Sequence, residues 1–218
     1  DVRGKPLLHR LVRSFNDAGV RELTVVTGYK ANTVNFPGIN TVENPAYETS
    51  GEVASLACAK DALKGECLVS YGDIMFRSHV LNQLLDCEAD IAVVIDANWQ
   101  QERAESTKRT VDLAACSRAY TGGYFDDEIV ELTRLDTEFD IESADGEWIG
   151  LAKFSEKGSL LLQAELARME SDRSIGSASM IDLMNCLIDA GAKPQVVYIT
   201  GGWLDVNDAF DLARARNF

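Results

Sequence analysis

The chain has 218 residues, 46% of them hydrophobic and 26% charged. That is the balance of a folded protein with one sizeable core, and it excludes both a disordered tail and a fibrous repeat. Its 21 Lys and Arg against 35 Asp and Glu leave a net charge of −14. Such a surface repels a polyphosphate backbone and excludes general binding to nucleic acid or an anionic membrane, while a small phosphorylated ligand can still be met by a local basic pocket.

From Leu7 to Phe15, apolar residues recur at helical spacing, and Asn16-Asp17-Ala18-Gly19 ends the run. Glu22 to Thr27 reads as a buried parallel strand opening at Gly28, and a second strand is expected at Ile39 to Val42. A helix from Glu52 to Leu63, a strand from Cys67 to Tyr71 ending at Gly72-Asp73, a helix from Ser78 to Leu85 and a strand from Asp90 to Asp96 continue the alternation. This order favours a mainly parallel sheet with helices on both faces and ligands beyond the strands' C-terminal ends. After residue 100 the pattern changes. Strands of mixed direction are expected at Asp112 to Ser117, Glu128 to Leu135 and Trp148 to Phe154, then helices at Glu156 to Met169 and Ala178 to Ala190. A strand from Gln195 to Thr200 precedes a last helix ending at Ala215. No Pro/Gly/Ser-rich linker or repeat interrupts the chain, so we expect a single domain over 1–218 whose second half extends the same sheet.

No apolar run approaches the length of a bilayer crossing. The five cysteines, Cys58, Cys67, Cys87, Cys116 and Cys186, are odd in number and never form a C-x-x-C pair. Neither a disulfide framework nor a zinc site is suggested, and we expect reduced, mostly buried thiols in a cytoplasmic protein. The start, Asp1 to Pro6, has no apolar signal core and reads as a mature terminus or as the trimmed edge of something longer.

Asp73 follows a strand and a glycine, so its carboxylate belongs in the crevice at a strand end, where a metal-bound polyphosphate could be met. Taken alone, a Gly-Asp pair favours the plainer role of a turn or a helix cap ahead of Ser78 to Leu85. Asp205 follows a strand and two glycines, and Asn207 or Asp208 is free to cap the last helix in its place. Two carboxylates at two strand ends could share one magnesium ion. The cluster Asn44-Pro45-Ala46-Tyr47 with Thr49, Ser50, Gly51 and Ser55 stands at a helix start, where backbone N–H groups favour an anion or a polar base edge, or where a Ser or Thr simply caps the helix. Neither G-x-G-x-x-G after a strand nor G-x-x-x-x-G-K-[ST] is present, which counts against dinucleotide redox chemistry and P-loop hydrolysis. His9 and His79 read as structural.

In order and spacing, Gly4-Lys5-Pro6-Leu7-Leu8, Val25-Val26-Thr27-Gly28-Tyr29, Asn44-x-x-Tyr47 with Ser55-Leu56, Gly72-Asp73-Ile74 and Trp203-Leu204-Asp205-Val206-Asn207 resemble the nucleotidyltransferases that make CDP- and NDP-activated metabolites. The stretches Glu147 to Phe154 and Ile199 to Trp203 look closest to the cytidylyltransferases of 2-aminoethylphosphonate, including the domain fused to phosphoenolpyruvate mutase. The resemblance implies the Rossmann-like, mixed but mainly parallel α/β sheet of the nucleotide-diphospho-sugar transferase fold, with a nucleotide-binding half to about residue 100 and an acceptor-binding half over about 101–218. It implies CTP and a small phosphonate or phosphate monoester as substrates, Mg2+ held by Asp73 and Asp205, a nucleotide site at Ser50, Gly51, Ser55 and Gly72, and acceptor contacts from Glu147, Trp148 and Lys153. A homodimer, or fusion to another catalytic domain, fits the same pattern. The family also carries a glycine-rich loop and a lysine segment ahead of the counterpart of Gly4-Lys5-Pro6, and a first strand with them; this sequence contains neither, and we expect omission of that segment rather than loss of catalysis. A sugar-1-phosphate, phosphocholine or inositol-phosphate nucleotidyltransferase, or a catalytically silent nucleotide-binding domain, is the alternative.

Overall fold

A computed structural model describes residues 2, 4–100, 110–122, 128–140 and 142–218. Its centre is β5 (Ile91–Asp96), six residues that are all buried. Ile91, Val93 and Ile95 point into one apolar cluster, and Ala92 and Val94 into another. Strand alternation with both faces apolar is what a sheet covered on two sides requires. Beside β5 runs β8 (Gly146–Phe154), nine residues long and buried throughout. It is antiparallel to β5, while β9 (Gln195–Ile199) lies parallel on the other side of β5.

The far edge of β8 is shared. Its C-terminal half pairs with β3 (Cys67–Ser70) and its first two residues with β6 (Leu113–Cys116), which in turn pairs with β7 (Leu132–Asp136); all three pairings are antiparallel. The main sheet is therefore mixed, and the expectation of a mainly parallel sheet is corrected. Strands β3, β5, β6 and β9 do share one direction, but the counter-running β8 stands between them and turns most contacts antiparallel. A separate parallel pair is formed by β1 (Thr24–Thr27) and β2 (Asn40–Glu43). A two-stranded antiparallel pair, β4 (Ile74–Phe76) with β10 (Trp203–Asp205), is a further element that the sequence pattern did not announce.

One face of the sheet is covered by α2 (Glu52–Cys58), α4 (Glu156–Ser171) and α5 (Met180–Asp189), through Val53, Leu162, Leu166, Leu183 and Leu187. The other is covered by α1 (Leu7–Asp17), α3 (Ser78–Asp86) and the β4–β10 pair, through Leu11, Phe15, Leu81, Leu84, Ile74 and Trp203. Helix α6 (Ala209–Ala215) closes a small cluster of Val2, Met75, Leu204 and Ala215. Helix starts are capped as their residues allow. Ser155 accepts from the Gly158 N–H, Ser179 and Asp182 form a capping box, and Asp208 accepts from the Phe210 and Asp211 N–H groups. Among the described residues no helix is long and apolar enough to cross a membrane. The cysteines are free, but only Cys87 is buried and Cys58 is exposed, against the expectation of mostly buried thiols.

Lys153 stands apart from Glu147, with which the sequence pattern grouped it. It sits near the C-terminal end of β8, opposite Ala92 and Leu68, whereas Glu147 pairs with Asp96 at the other end of the same strands. Six residues of strand separate the two by about 20 Å. The Lys153 ammonium is 6% exposed and donates to the carbonyls of Leu85 (2.8 Å) and Cys87 (2.9 Å), pinning the end of α3 to the sheet. Lys153→Met keeps the apolar stem but orphans both carbonyls. A loss of about 1–3 kcal/mol is expected, read as a lower urea midpoint with an unchanged slope; an unshifted midpoint would contradict the pinning role.

Candidate active site

Asp205 ends β10, and Asp73 stands one residue ahead of its partner strand β4. Asp205 is in register with Ile74, and the Val206 N–H donates to the Asp73 carbonyl at 2.9 Å. Regular strand alternation would send their side chains to opposite faces, but the chain bends at Gly72-Asp73, so the alternation does not carry through. Asp73 is exposed, and half-buried Asp205 accepts from the Asn207 amide through Oδ2 at 2.6 Å. Gly72 is exposed too, with open space where a Cβ would stand, so close packing does not demand a glycine there. Asp208, and not Asp205, caps the last helix.

What holds β10 in place is a residue that sequence reasoning passed over. Asp96, the last residue of β5, is fully buried. Its Oδ1 accepts from the N–H groups of Asn98 (2.9 Å) and Gly201 (3.0 Å), and its Oδ2 from the Trp203 indole at 2.7 Å. Three donors compensate the desolvated carboxylate and tie the Gly201-Gly202 turn to the end of the central strand. The available signal was an acidic residue closing an otherwise unbroken apolar run.

The cluster at α2 is organised differently from either sequence reading. Gly51 is the N-cap and offers no side chain; its N–H donates to the Gly176 carbonyl (2.7 Å), and that of Val53 to Ala178 (3.2 Å). A Cβ at Gly51 would fall 2.3 Å from the Ala178 oxygen. These amides are spent on docking the 176–178 segment, so neither a Ser cap nor an anion cradle describes the helix start. Ser50 and Ser55 instead take part in a network centred on buried Asn44, whose Nδ2 donates to both hydroxyls at 2.9 Å while Oδ1 accepts from the Ala46 N–H.

Between the Asp73 strand end and α2 stands Tyr71, the second residue missed. Its hydroxyl donates to Asp112 Oδ2 at 2.9 Å. Burial, then the carboxylates of Asp112, Glu52 and Asp73, push the phenol far above its usual range, so it remains a donor. Its ring fills the space left by Gly150, where a Cβ would come within 2.0 Å of it and where φ is +74°. The ring also lies 5.6 Å from that of Trp148.

Glu147 and Trp148 part company. Trp148 is 2% exposed, belongs to the core on the α2–α4–α5 face, and donates from its indole to the Leu151 carbonyl at 3.2 Å. The structure thus places it among core side chains. Glu147, also 2% exposed, is in register with Asp96 and shares that residue's face of the sheet, toward Trp203. His9 stacks on Phe36, and His79 lies against Gly202.

The MobA-like NTP transferase domain matches residues 1–173. The chain belongs to this family. It is 23% identical over 228 residues to the CTP:phosphoglutamine cytidylyltransferase of Campylobacter jejuni, covering 97% of this chain and 87% of that protein. Among solved structures, the inositol-1-phosphate CTP transferase from T. maritima aligns with a TM-score of 0.70 at 14% identity, over 98% of this chain and 84% of that one. The CTP:phosphocholine cytidylyltransferase from Streptococcus pneumoniae aligns at 0.62 and 14%, over 100% and 86%. A glucose-1-phosphate thymidylyltransferase structure from Bacillus anthracis aligns at 0.71 and 12%, over 100% and 83%. The fold of this NTP transferase is thus that of sugar and alcohol phosphate nucleotidyltransferases.

In β6 of this MobA-like enzyme, burial pushes the Cys116 thiol from 9.0 up to about 12, with the Tyr198 hydroxyl opposing the rise and the Asp145 carboxylate adding to it. Tyr71 and Tyr198 shift upward too, again chiefly by burial. The folded protein holds these protons more tightly than the unfolded chain. The stability they contribute is whole below the unfolded pKa of Cys116 and is lost as pH climbs through the interval from 9.0 toward about 12. Urea titrations should therefore show a falling midpoint above that lower limit, and Cys116→Ala should flatten the fall; a midpoint constant to the alkaline limit would contradict the burial of these groups.

Proposed function

We propose that the chain transfers CMP from CTP to an oxygen of a phosphonate or phosphate monoester and releases pyrophosphate, with 2-aminoethylphosphonate the leading acceptor. The observation that carries the reading is the placing of Asp205 at the end of β10 and of Asp73 one residue ahead of its partner strand β4, where strand ends open. Support for CTP as donor comes from relatives whose names carry it, for phosphoglutamine, inositol phosphate and phosphocholine.

Among the described residues no group of three or more His, Cys, Asp and Glu could hold a metal. The two carboxylates alone suit magnesium, which takes one or two from a protein and completes its octahedron with phosphate oxygens and water. Held by Asp73 and Asp205, it would supply charge neutralisation on the triphosphate and the departing pyrophosphate. The acceptor's phosphonate oxygen is already anionic near neutral pH, so no side chain need remove a proton. Its lone pair forms the new bond to the α-phosphorus in line with the breaking bond to pyrophosphate, and positioning is the protein's main task. Ser55 is suited to the base. Its oxygen accepts from Asn44, which leaves its hydrogen to donate to a pyrimidine carbonyl or ring nitrogen. Glu147 supplies the carboxylate that an acceptor ammonium needs on losing its water.

Pyrophosphate release by the full-length protein, measured across CTP, UTP, dTTP and ATP and across phosphonate, phosphocholine, inositol phosphate and sugar-1-phosphate acceptors, tests the reading directly. Asp73→Asn and Asp205→Asn should each lower turnover by more than ~100-fold; near-normal rates in both at saturating magnesium would overturn the shared site. With the wild type, 2-aminoethylphosphonate should be preferred over ethylphosphonate by at least about tenfold, and much less so in Glu147→Gln, as loss of a buried charge partner requires. Equal use of the two by the wild type removes the ammonium pocket and favours a sugar phosphate acceptor.

A further inference from the structure

We propose that a basic cleft at the opposite end of β4 from Asp73 is a second anion site, which takes a small molecule bearing two or more phosphate charges. The cleft, of about 690 Å3, lies between α1 and the junction of β4 with α3, and Phe218 forms one wall. That volume is ample for a diphosphate or a nucleotide-sized ligand. Lys5, Arg10, Arg13 and Arg77 line it, and among the described lining residues Asp17 supplies the one acidic side chain, in a chain whose net charge is −14.

The donors are largely unspent. Arg77 stacks its guanidinium 4.5 Å from the centroid of the Phe218 ring, and among the described residues it and Lys5 have no carboxylate within ion-pair distance. Arg10 is held in place by donating Nε and Nη2 to the Val2 carbonyl at 3.0 and 2.9 Å, and its Nη1 makes no hydrogen bond to a described residue. Arg13 approaches Asp17 at 3.4 Å, but both are about 70% exposed, and such a pair yields easily to a better partner. Four like charges around one cleft repel one another, and a multiply charged anion relieves that repulsion. Guanidinium forks match phosphate oxygens in geometry as well as charge.

The cleft is separate from the acidic strand end. Arg77 lies four residues beyond Asp73, about 13 Å along an extended chain. It is also connected to it, because the Arg77 N–H donates to the Gly202 carbonyl at 2.8 Å, in the turn that leads into Asp205. The inference is independent of the nucleotide chemistry proposed above.

Inorganic pyrophosphate is a suitable probe. Isothermal titration of the full-length protein with pyrophosphate at low salt, in EDTA so that no divalent metal bridges it to Asp73 or Asp205, should give one site. Binding should weaken by at least about tenfold in Lys5→Gln/Arg77→Gln, as loss of two charged partners implies, and should fall as salt is raised. Asp73→Asn/Asp205→Asn should bind as the wild type does. Lys5 and Arg77 are both exposed, and a matching thermal melt will establish that the double variant is folded. Absence of binding, binding that survives in Lys5→Gln/Arg77→Gln, or binding lost only in the aspartate variants would overturn the proposal.

Discussion

A buried carboxylate joins the two parts of this molecule that must not move relative to one another. Asp96 ends the central strand, is cut off from water, and is compensated by the Gly201 amide and the Trp203 indole. Leaving such a group without partners costs far more than the bonds themselves contribute, so the turn and β10 are obliged to return to the same place. The position of Asp205 follows from that obligation, and that of Asp73 follows from the pairing of β10 with β4.

The counter-running β8 supplies the remaining geometry. One edge lies on β5, while the other is divided between β3 and β6. Gly150 marks the division, and its left-handed backbone and missing side chain admit the Tyr71 ring. Tyr71 then reaches Asp112 on one side and feels Asp73 and Glu52 on the other, so the strand end, the approach to β6 and the start of α2 meet around a single phenol.

Much of this was legible in the sequence because long elements announce themselves. Ile91 to Ile95 is apolar at every position and became the doubly covered strand, and α4 and α5 were anticipated to within two or three residues of their ends. Strands β4 and β10 were not, since three residues cannot display a period, and yet Asp205 ends β10 and Asp73 immediately precedes β4. Spacing also misled where pairing partners decide. Lys153 and Glu147 are six residues apart in one apparent motif but stand at opposite ends of β8, and Trp148 alternates away from Glu147 into the core. At α2, serines next to a helix start suggested a cap, but Gly51 occupies that position, and Asn44, from outside the helix, claims the hydroxyls. The sequence grouped these residues, but not the hydrogen bonds by which Asn44 holds the two serines.

The junction between β6 and β8 spans only two residue pairs, Leu113 with Glu147 and Ala114 with Gly146, whereas β8 meets β3 over four pairs and β5 over five. The β6–β7 ribbon is thus grafted onto the sheet by its narrowest seam. Leu132 and Leu135 of the ribbon belong to the core and the Leu135 backbone pairs with Asn185, so it is changes at its exposed positions, Thr133 and Arg134, that leave β3, β4, β5 and β10 in register. A scaffold divided this way can diversify one lobe over evolutionary time while the strands that position the two aspartates are inherited unchanged.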